Sequence, residues 1–407
     1  MKNTIRLALI GILCLASVSC TKMPATTSAV ELTLALRAGI YADVIKSCLP
    51  AFEKAHNVRC TVLELSEDAL HASIIGEAQK AEGNIDFCMV DGSWMAECTA
   101  KKVLANLSAL GYQLDDDIIP ATTAICYNND SLYLAPYYGN VTVMLYNRLV
   151  LKDVGYTADA VNAVDDIVQI CLEAKKHHTL GFLYRGDTEN NIVVDFLPFL
   201  CSYGGWVVDK DNKPTVNTPA FYNAMNTYLT LIQTGRSAKK DDLITAIANR
   251  SAAVAVGWPG WYTPERNSTM DYFALSGKAT NDAPAYNANV YGIWTIGIPA
   301  NSAHTTLATE LLAYLMEPER QKQTVAYGGV PCRYSSLQDA AVLKKFPQYA
   351  VICKALESGI YRPVLETWPE FYTILGSEMK AIIDGKKSIH IGLTDAQTRL
   401  EAQLAVQ

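Results

Sequence analysis

The sequence predicts an α/β protein in which a largely parallel sheet carries helices on both faces. Two observations indicate this fold. Apolar, strand-like segments alternate with helix-like segments from residue 30 onward. The helix-like segments repeat their apolar residues at three- and four-residue spacing, as between Ile45 and Phe52. A strand–helix alternation favours a parallel sheet, because each crossover helix returns the chain across one face of that sheet.

The elements follow from these patterns in chain order. The region from about residue 145 to 275 is mostly helical apart from two apolar strands. The predicted strands are 30–37, 59–66, 85–92, 179–184, 251–258 and 290–299, and the predicted helices include 41–56, 69–82, 93–104, 305–316 and those within 365–407. Ligands of such sheets bind beyond the carboxyl ends of the strands. Residues that directly follow the strands are therefore candidates for a site.

The first twenty residues have the layout of a secretory signal. A basic head with Lys2 and Arg6 precedes an apolar run over 7–16, which is too short to span a bilayer as a helix. Cys20 follows small residues, and this ending resembles a bacterial lipobox, in which the new N-terminal cysteine receives acyl chains. Ser17 stands where such a motif usually has leucine.

We therefore expect residues 1–20 to be a lipoprotein signal peptide, Cys20 to be the lipidation site and residues 21–29 to be a tether. The body of the protein is then exported and held by its lipid at the outer face of the cytoplasmic membrane, in a periplasm or at a cell surface. Ordinary cleavage without lipid attachment is the alternative.

The composition argues against several classes of partner. The chain of 407 residues has 34 basic and 41 acidic residues and a formal net charge of −7. It has no long basic run, which disfavours nucleic acid as a partner. Its cysteines form no C-x-x-C pair, and it has no metalloprotease, phosphate-loop or serine-hydrolase motif. We expect no metal and no cofactor, and we expect most cysteines to be buried free thiols.

Four regions resemble extracellular solute-binding protein family 1, the sugar-binding components of ABC importers, to which maltose-binding proteins belong. The resemblance runs from about residue 31 to the C-terminus and keeps the order of the family's motifs. They include PAFEK in the first region, LAPYYGN in the second, YGGW in the third and YGIWTIGIP in the fourth. The regions are 32–65, 134–156, 199–221 and 291–302, the last followed by 326–339.

The resemblance implies a two-lobed, periplasmic-binding-protein-like fold of type II, in which each lobe is a sheet flanked by helices. The ligand then lies between lobes that close around it. The implied N-terminal lobe is 30–138 plus 290–334, and the implied C-terminal lobe is 140–288 plus 340–407. The three expected crossings are Gly139–Thr142, Asn289–Gly292 and Ser335–Asp339.

A sugar site needs hydrogen-bonding groups for the hydroxyls and flat apolar rings for the C–H faces. Asp91 and Trp94 lie at and just after the end of the predicted strand 85–92, where the resembled family often binds ligand. Tyr138 and Asn140 lie in PYYGN at the first crossing. Asn140 stands where relatives have a carboxylate, which favours an uncharged ligand.

The resemblance implies five further ligand-binding residues. Trp258 and Trp261 lie in GWPGWY, where relatives place a tryptophan that stacks on sugar, and Trp294 resembles the last residue of a GGW motif. Arg333 presents a fork that spans two vicinal hydroxyls, and Tyr372 matches a position that is aromatic in maltose-type relatives. Each also has a structural alternative, namely core packing for the aromatic residues and an ion pair for the arginine.

Together these observations predict the substrate-binding component of an ABC importer. It would capture a sugar or oligosaccharide between its lobes and present it to membrane permease subunits, as a monomer and without catalysis. Three alternatives stay open. The same fold binds a non-sugar solute such as a polyol, peptide or charged metabolite, or the protein is a secreted carbohydrate-active enzyme, or it is a structural surface lipoprotein.

Overall fold

The computed structural model describes residues 29–161, 163–262, 268–277 and 288–404. These residues form two five-stranded sheets flanked by helices, which confirms the predicted α/β class with two sheet-containing lobes. The expected signal peptide, Cys20 and all of the tether except its last residue lie outside the described residues.

The strands and helices have the following bounds. The strands are β1 Val30–Arg37, β2 Val58–Leu65, β3 Phe87–Asp91, β4 Tyr127–Asn128, β5 Ser131–Leu132, β6 Ala135–Tyr138, β7 Val143–Asn147, β8 Leu180–Tyr184, β9 Arg236–Ser237, β10 Ala252–Gly257, β11 Met270–Phe273, β12 Val290–Tyr291, β13 Trp294–Gly297 and β14 Ile360–Tyr361. The helices are α1 Ile40–Lys46, α2 Leu49–His56, α3 Glu67–Glu77, α4 Met95–Ala100, α5 Arg148–Asp153, α6 Val164–Lys176, α7 Glu189–Ser202, α8 Pro219–Ile232, α9 Lys240–Ala248, α10 Thr305–Met316, α11 Pro318–Thr324, α12 Tyr334–Leu337, α13 Ala340–Lys345, α14 Tyr349–Glu357, α15 Trp368–Ile383 and α16 Ile389–Leu404.

The first sheet has the order β2-β1-β3-β13-β6. Strands β2, β1 and β3 are parallel, and β13 runs antiparallel to both β3 and β6. The carboxyl ends of β1, β2, β3 and β6 therefore meet the beginning of β13 at one edge. At that edge Trp294 lies opposite Asp91 on one side and Tyr138 on the other.

The second sheet has the order β11-β7-β10-β8-β9. Its strands β8, β9 and β10 are parallel, so the residues that follow β8 and β10 also share one edge. Every residue of β10 is buried, as expected for a strand between two neighbours inside the core. Side-chain caps start several of the helices; Ser66 accepts from the amide of Ala69 at the start of α3, and Thr188 accepts from the amide of Asn191 at the start of α7.

The structure confirms the predicted strands and helices with three local differences. The predicted helix 41–56 is two helices, because Pro50 lacks an amide hydrogen and is tolerated only in the first turn of α2. The predicted helix 93–104 is a 3₁₀ turn over Gly92–Trp94 followed by the short helix α4. The predicted strand 290–299 is divided into β12 and β13 at Gly292.

A small two-stranded unit joins the sheets. Strand β12 pairs in parallel with β14, and Val141 forms an isolated bridge with Tyr291. Side chains of α14, such as Leu356, pack in the same buried cluster as the first sheet, whereas Trp368 of α15 packs with the second. This packing favours a third crossing near β14 rather than at Ser335–Asp339. The lobe boundaries stay a prediction.

All nine cysteines among the described residues are free, and all except Cys60 are buried, which confirms the expectation of buried thiols. Burial raises the pKa of several of them, including that of Cys201 to about 12. No helix within the described ranges is long and apolar enough to cross a membrane. The described part of the chain also has no group of three or more histidine, cysteine or acidic side chains that could hold a metal ion.

Candidate functional site

A cavity of about 550 Å³ lies between the two sheets, at the carboxyl ends of their parallel strands. We call it the main cavity. Both lobes line it, as a ligand that stabilises lobe closure requires. The first sheet and its loops contribute Arg37, Tyr41, Glu67, Asp91, Asn140, Gly292 and Trp294, and the second contributes Arg185, Asp187, Asn190, Lys240, Trp258 and Trp261.

Aromatic rings from both lobes line the main cavity. Trp258 follows β10 and is 7% exposed to solvent. Trp294 begins β13 and is 3% exposed. A Cβ placed on Gly292 would lie 2.8 Å from the Trp258 ring. Glycine at this position therefore allows the indole of Trp258 to pack against the turn between β12 and β13. Tyr41 extends the aromatic surface, with its ring centroid 5.6 Å from that of Trp294.

Three polar atoms in the main cavity are buried and have no hydrogen-bond partner among the described residues. They are Oδ1 of Asn140, Oδ1 of Asn190 and Nε of Arg37. Asn140 is 3% exposed and donates through Nδ2 to the Tyr41 hydroxyl at 3.3 Å, which leaves its oxygen as the free acceptor. Each buried polar group that is left without a hydrogen bond lowers the stability of the folded protein by about 1–3 kcal/mol. A ligand that supplies both donors and acceptors would recover this cost.

A buried ion pair forms one wall of the main cavity. Arg362 Nη2 lies 2.8 Å and 2.9 Å from the two carboxylate oxygens of Asp91. Asp91 also accepts from the amide and hydroxyl of Ser93, at 2.9 Å and 2.7 Å. The carboxylate of Asp91 is therefore held rigidly, and it both caps the 3₁₀ turn and lines the site.

A second buried pair supports the opposite wall. Asp195 is fully buried and accepts from the backbone amide of Arg185 at 2.8 Å and from its guanidinium at 3.1 Å. Burial raises the pKa of Asp195, and the charge of Arg185 opposes this effect. The guanidinium carbon of Arg185 lies 4.9 Å from the ring centroid of Trp261, a cation–π contact that orients the indole.

Two further charged residues begin helices at the rim of the main cavity. Glu67 starts α3, and burial together with the charge of Asp91 raises the pKa of its carboxyl group. Lys240 starts α9 and is exposed. The main cavity thus combines charged and neutral hydrogen-bonding groups with indole rings.

Five of the predicted site residues line the main cavity, namely Asp91, Asn140, Trp258, Trp261 and Trp294. Two others, Trp94 and Tyr372, line a smaller adjoining space of about 170 Å³, which we call the annex. The structure therefore brings seven of the nine predicted residues to one connected region. Their contact with a ligand stays a prediction.

The remaining two predicted residues do not line the main cavity or the annex. Tyr138 is fully buried and donates its hydroxyl proton to the carbonyl of Gly328 at 2.8 Å. Arg333 is 1% exposed and binds the carboxylates of Asp115 and Asp117 at 2.7 Å and 2.9 Å. Because both side chains are buried away from the two spaces, their positions do not support the predicted ligand contacts. Tyr138 instead packs beneath the site.

Several residues of the site were not among the predicted ones. Arg37 and Glu67 end or follow predicted strands, and the rule that sites lie beyond strand ends would have found them. Arg362 gives no comparable signal, because it lies 271 residues from the carboxylate that it binds. Asn190 lies inside the first turn of α7, where a polar residue is ordinary.

Two sheet-containing lobes enclose a polar, aromatic cavity, an arrangement suited to binding a solute between them. Residues 49–350 match the family model described as bacterial extracellular solute-binding protein. This match covers more than half of the chain, so the chain belongs to that family. By family it is therefore a binding protein, as predicted, and relatives described next are solute-binding proteins of ABC transporters.

Two curated relatives illustrate the range of the family. The chain is 20% identical to a probable amino-acid ABC transporter periplasmic-binding protein of Sinorhizobium fredii, over 93% of this chain and 90% of the relative. It is 26% identical to the arabinooligosaccharide-binding protein of Bacillus subtilis, over 52% of this chain and 50% of the relative.

Solved structures share the fold at low sequence identity. Maltose-bound MalE3 of T. maritima is 19% identical, with a TM-score of 0.79 over 92% of this chain and all of that chain. A solute-binding protein of Agrobacterium radiobacter K84 in complex with ribitol is 20% identical, with a TM-score of 0.76 over 92% of this chain and 98% of that one. These likenesses confirm the two-lobed fold.

Proposed function

We propose that this protein captures a sugar or an oligosaccharide in the main cavity and presents it to the permease subunits of an ABC importer. The observation that carries the proposal is the pairing of tryptophan rings from both lobes with three unpartnered polar atoms, those of Arg37, Asn140 and Asn190. The maltose-bound relative and the arabinooligosaccharide-binding relative support the same ligand class.

The chemistry of the lining matches a sugar. Each hydroxyl both donates and accepts, so adjacent hydroxyls can satisfy the oxygens of Asn140 and Asn190 and the donor of Arg37. The C–H face of a pyranose is flat and apolar, and it fits against an indole such as that of Trp258. A ligand held in this way touches both lobes and stabilises their closed arrangement, which is the form that a permease would distinguish from the empty one.

A thermal-shift screen of residues 22–407 against sugars, polyols, amino acids and peptides tests the proposal. We expect at least one sugar to raise the melting temperature. A ligand at about 100 times its dissociation constant adds about 2.7 kcal/mol to the free energy of unfolding. A shift by polyols, amino acids or peptides and by no sugar would support the non-sugar alternative, which the ribitol-bound and amino-acid relatives represent. No shift by any compound would favour a structural lipoprotein.

We also propose that the protein acts as a monomer anchored through lipid on Cys20. Tethering would keep it at a high effective concentration beside its permease. Cells that express the full chain are grown with a labelled fatty acid, and we expect label in the wild type and none in Cys20→Ser. Equal labelling of the two proteins, or an unlabelled wild type, would contradict the lipid anchor and leave the cavity proposal intact.

A further inference from the structure

The annex opens beside the main cavity, and the two share three lining residues. Glu67, Asn190 and Arg362 line both spaces, so the annex continues the binding cleft beyond the Asp91–Arg362 ion pair. With about 170 Å³, it is smaller than the main cavity. A ligand that fills both spaces passes this ion pair and Asn190, whose buried Oδ1 has no partner in the described chain.

The annex carries an excess of negative charge. Its two basic side chains are already paired, because Arg362 binds Asp91 and His71 lies 2.6 Å from Glu97. Three other carboxylates line it, and within the described ranges none forms a hydrogen bond or an ion pair. They are Glu67, Asp68 and Glu366. Arg362 and, more weakly, Arg37 attract Glu67, but no ion pair joins either of them to Glu67 in the described part of the chain.

Aromatic side chains complete the annex. Trp94, Trp368 and Tyr372 line it, and the ring centroids of Trp368 and Tyr372 are 6.1 Å apart at 72°. The indole of Trp368 is 2% exposed, and its buried Nε1 has no hydrogen-bond acceptor among the described residues. The annex therefore offers an unused donor for a hydroxyl oxygen, and it offers rings and carboxylates together, the surroundings that favour an ammonium group.

We infer that the annex is a second subsite for a sugar unit that carries a free amino group, so the ligand is a saccharide of at least two units. This inference rests on the proposed sugar-binding function. The neutral unit occupies the main cavity between the tryptophans, and the amino-bearing unit lies beyond the ion pair. Its ammonium group faces Glu67, Asp68 and Glu366, and one of its hydroxyls accepts from Nε1 of Trp368.

Titration calorimetry on residues 22–407 tests this assignment with three sets of disaccharides of matched α-1,4 and β-1,4 linkage. The sets contain two glucosamine units, two N-acetylglucosamine units or two glucose units. We expect a glucosamine disaccharide to bind about tenfold tighter than its neutral counterparts and to lose this advantage as salt rises. Neutral disaccharides that bind as tightly as the amino form would overturn the amine assignment. A glucose monomer that binds as tightly as every disaccharide would overturn the second subsite.

Two double variants test whether the preference for the amino sugar arises from the carboxylates of the annex. Asp68 and Glu366 are exposed, so Asp68→Asn/Glu366→Gln removes two annex charges without disturbing the core. We expect about fivefold weaker binding of the glucosamine disaccharide, with neutral disaccharides unaffected. The control Asp241→Asn/Asp242→Asn removes two exposed acidic charges from the first turn of α9, outside the annex.

The control is expected to bind like the wild type. Equal losses in the two double variants would contradict an annex subsite. If no saccharide binds at all while another solute does, the proposed function fails and this inference fails with it. If neutral sugars bind and amino sugars gain nothing, only this inference fails.

Discussion

Replacing Trp258 by alanine is expected to remove most of the stabilisation of the protein by its sugar. The indole packs against Gly292 at the turn between β12 and β13, so its loss removes a stacking surface that reaches both lobes. Truncation of a central aromatic contact commonly costs 2 kcal/mol or more of binding free energy, roughly a 30-fold loss of affinity. Thermal melts of the variant with and without the best sugar from the screen measure the effect.

Trp206→Ala is the matched control for this experiment. Trp206 belongs to the same lobe and packs at the edge of its core, but it does not line the main cavity. We expect this variant to melt at a lower temperature and to keep the full shift produced by the sugar. A Trp258→Ala protein that retains the wild-type shift would contradict the stacking role.

Replacing Arg362 by alanine is expected to lower the free energy of unfolding by about 3–5 kcal/mol. The side chains of Asp91 and Arg362 are only 6% and 9% exposed. Removal of the guanidinium leaves the carboxylate of Asp91 buried without its cation, and this uncompensated charge opposes folding. Urea unfolding of the ligand-free protein measures the loss.

Two further variants test whether the loss of stability comes from the unpaired buried charge of Asp91. Arg250→Ala removes an ion pair with Asp153 whose partners are about half exposed, and we expect it to cost less than about 1 kcal/mol. Asp91→Asn/Arg362→Ala removes both charges and keeps a side-chain acceptor for Ser93. It is expected to be more stable than Arg362→Ala alone. A cost for Arg362→Ala no greater than that for Arg250→Ala would show that the buried pair does not support the site.

Much of the fold could be predicted from the sequence, because its signals are local. The spacing of Ile45, Cys48, Leu49 and Phe52 reports one buried helical face, and runs such as VELTLALR report a buried strand. The order in which the strands pair is not local. That β13 lies antiparallel between β3 and β6 follows from contacts between residues roughly 160 to 200 positions apart.

The same difference between local signals and distant contacts separates the site residues that could be predicted from those that could not. Asp91, Trp258 and Trp294 could be predicted because a sugar site needs their chemistry and because they lie at strand ends. Arg333 is different, since its environment depends on Asp115 and Asp117, which come from a distant loop and neutralise its guanidinium. The sequence shows which side chains have the chemistry to bind a sugar. The fold decides whether such a side chain binds a ligand or another group of the protein.

The most direct test of the central claim is a crystal structure of residues 22–407 with the best solute from the screen. We predict density for a sugar in the main cavity, stacked on Trp258 and hydrogen-bonded to Asn140 and Asn190. Contacts to both lobes should be present in the same molecule. Density for the solute outside this cavity, or an empty main cavity at saturating solute, would contradict the account.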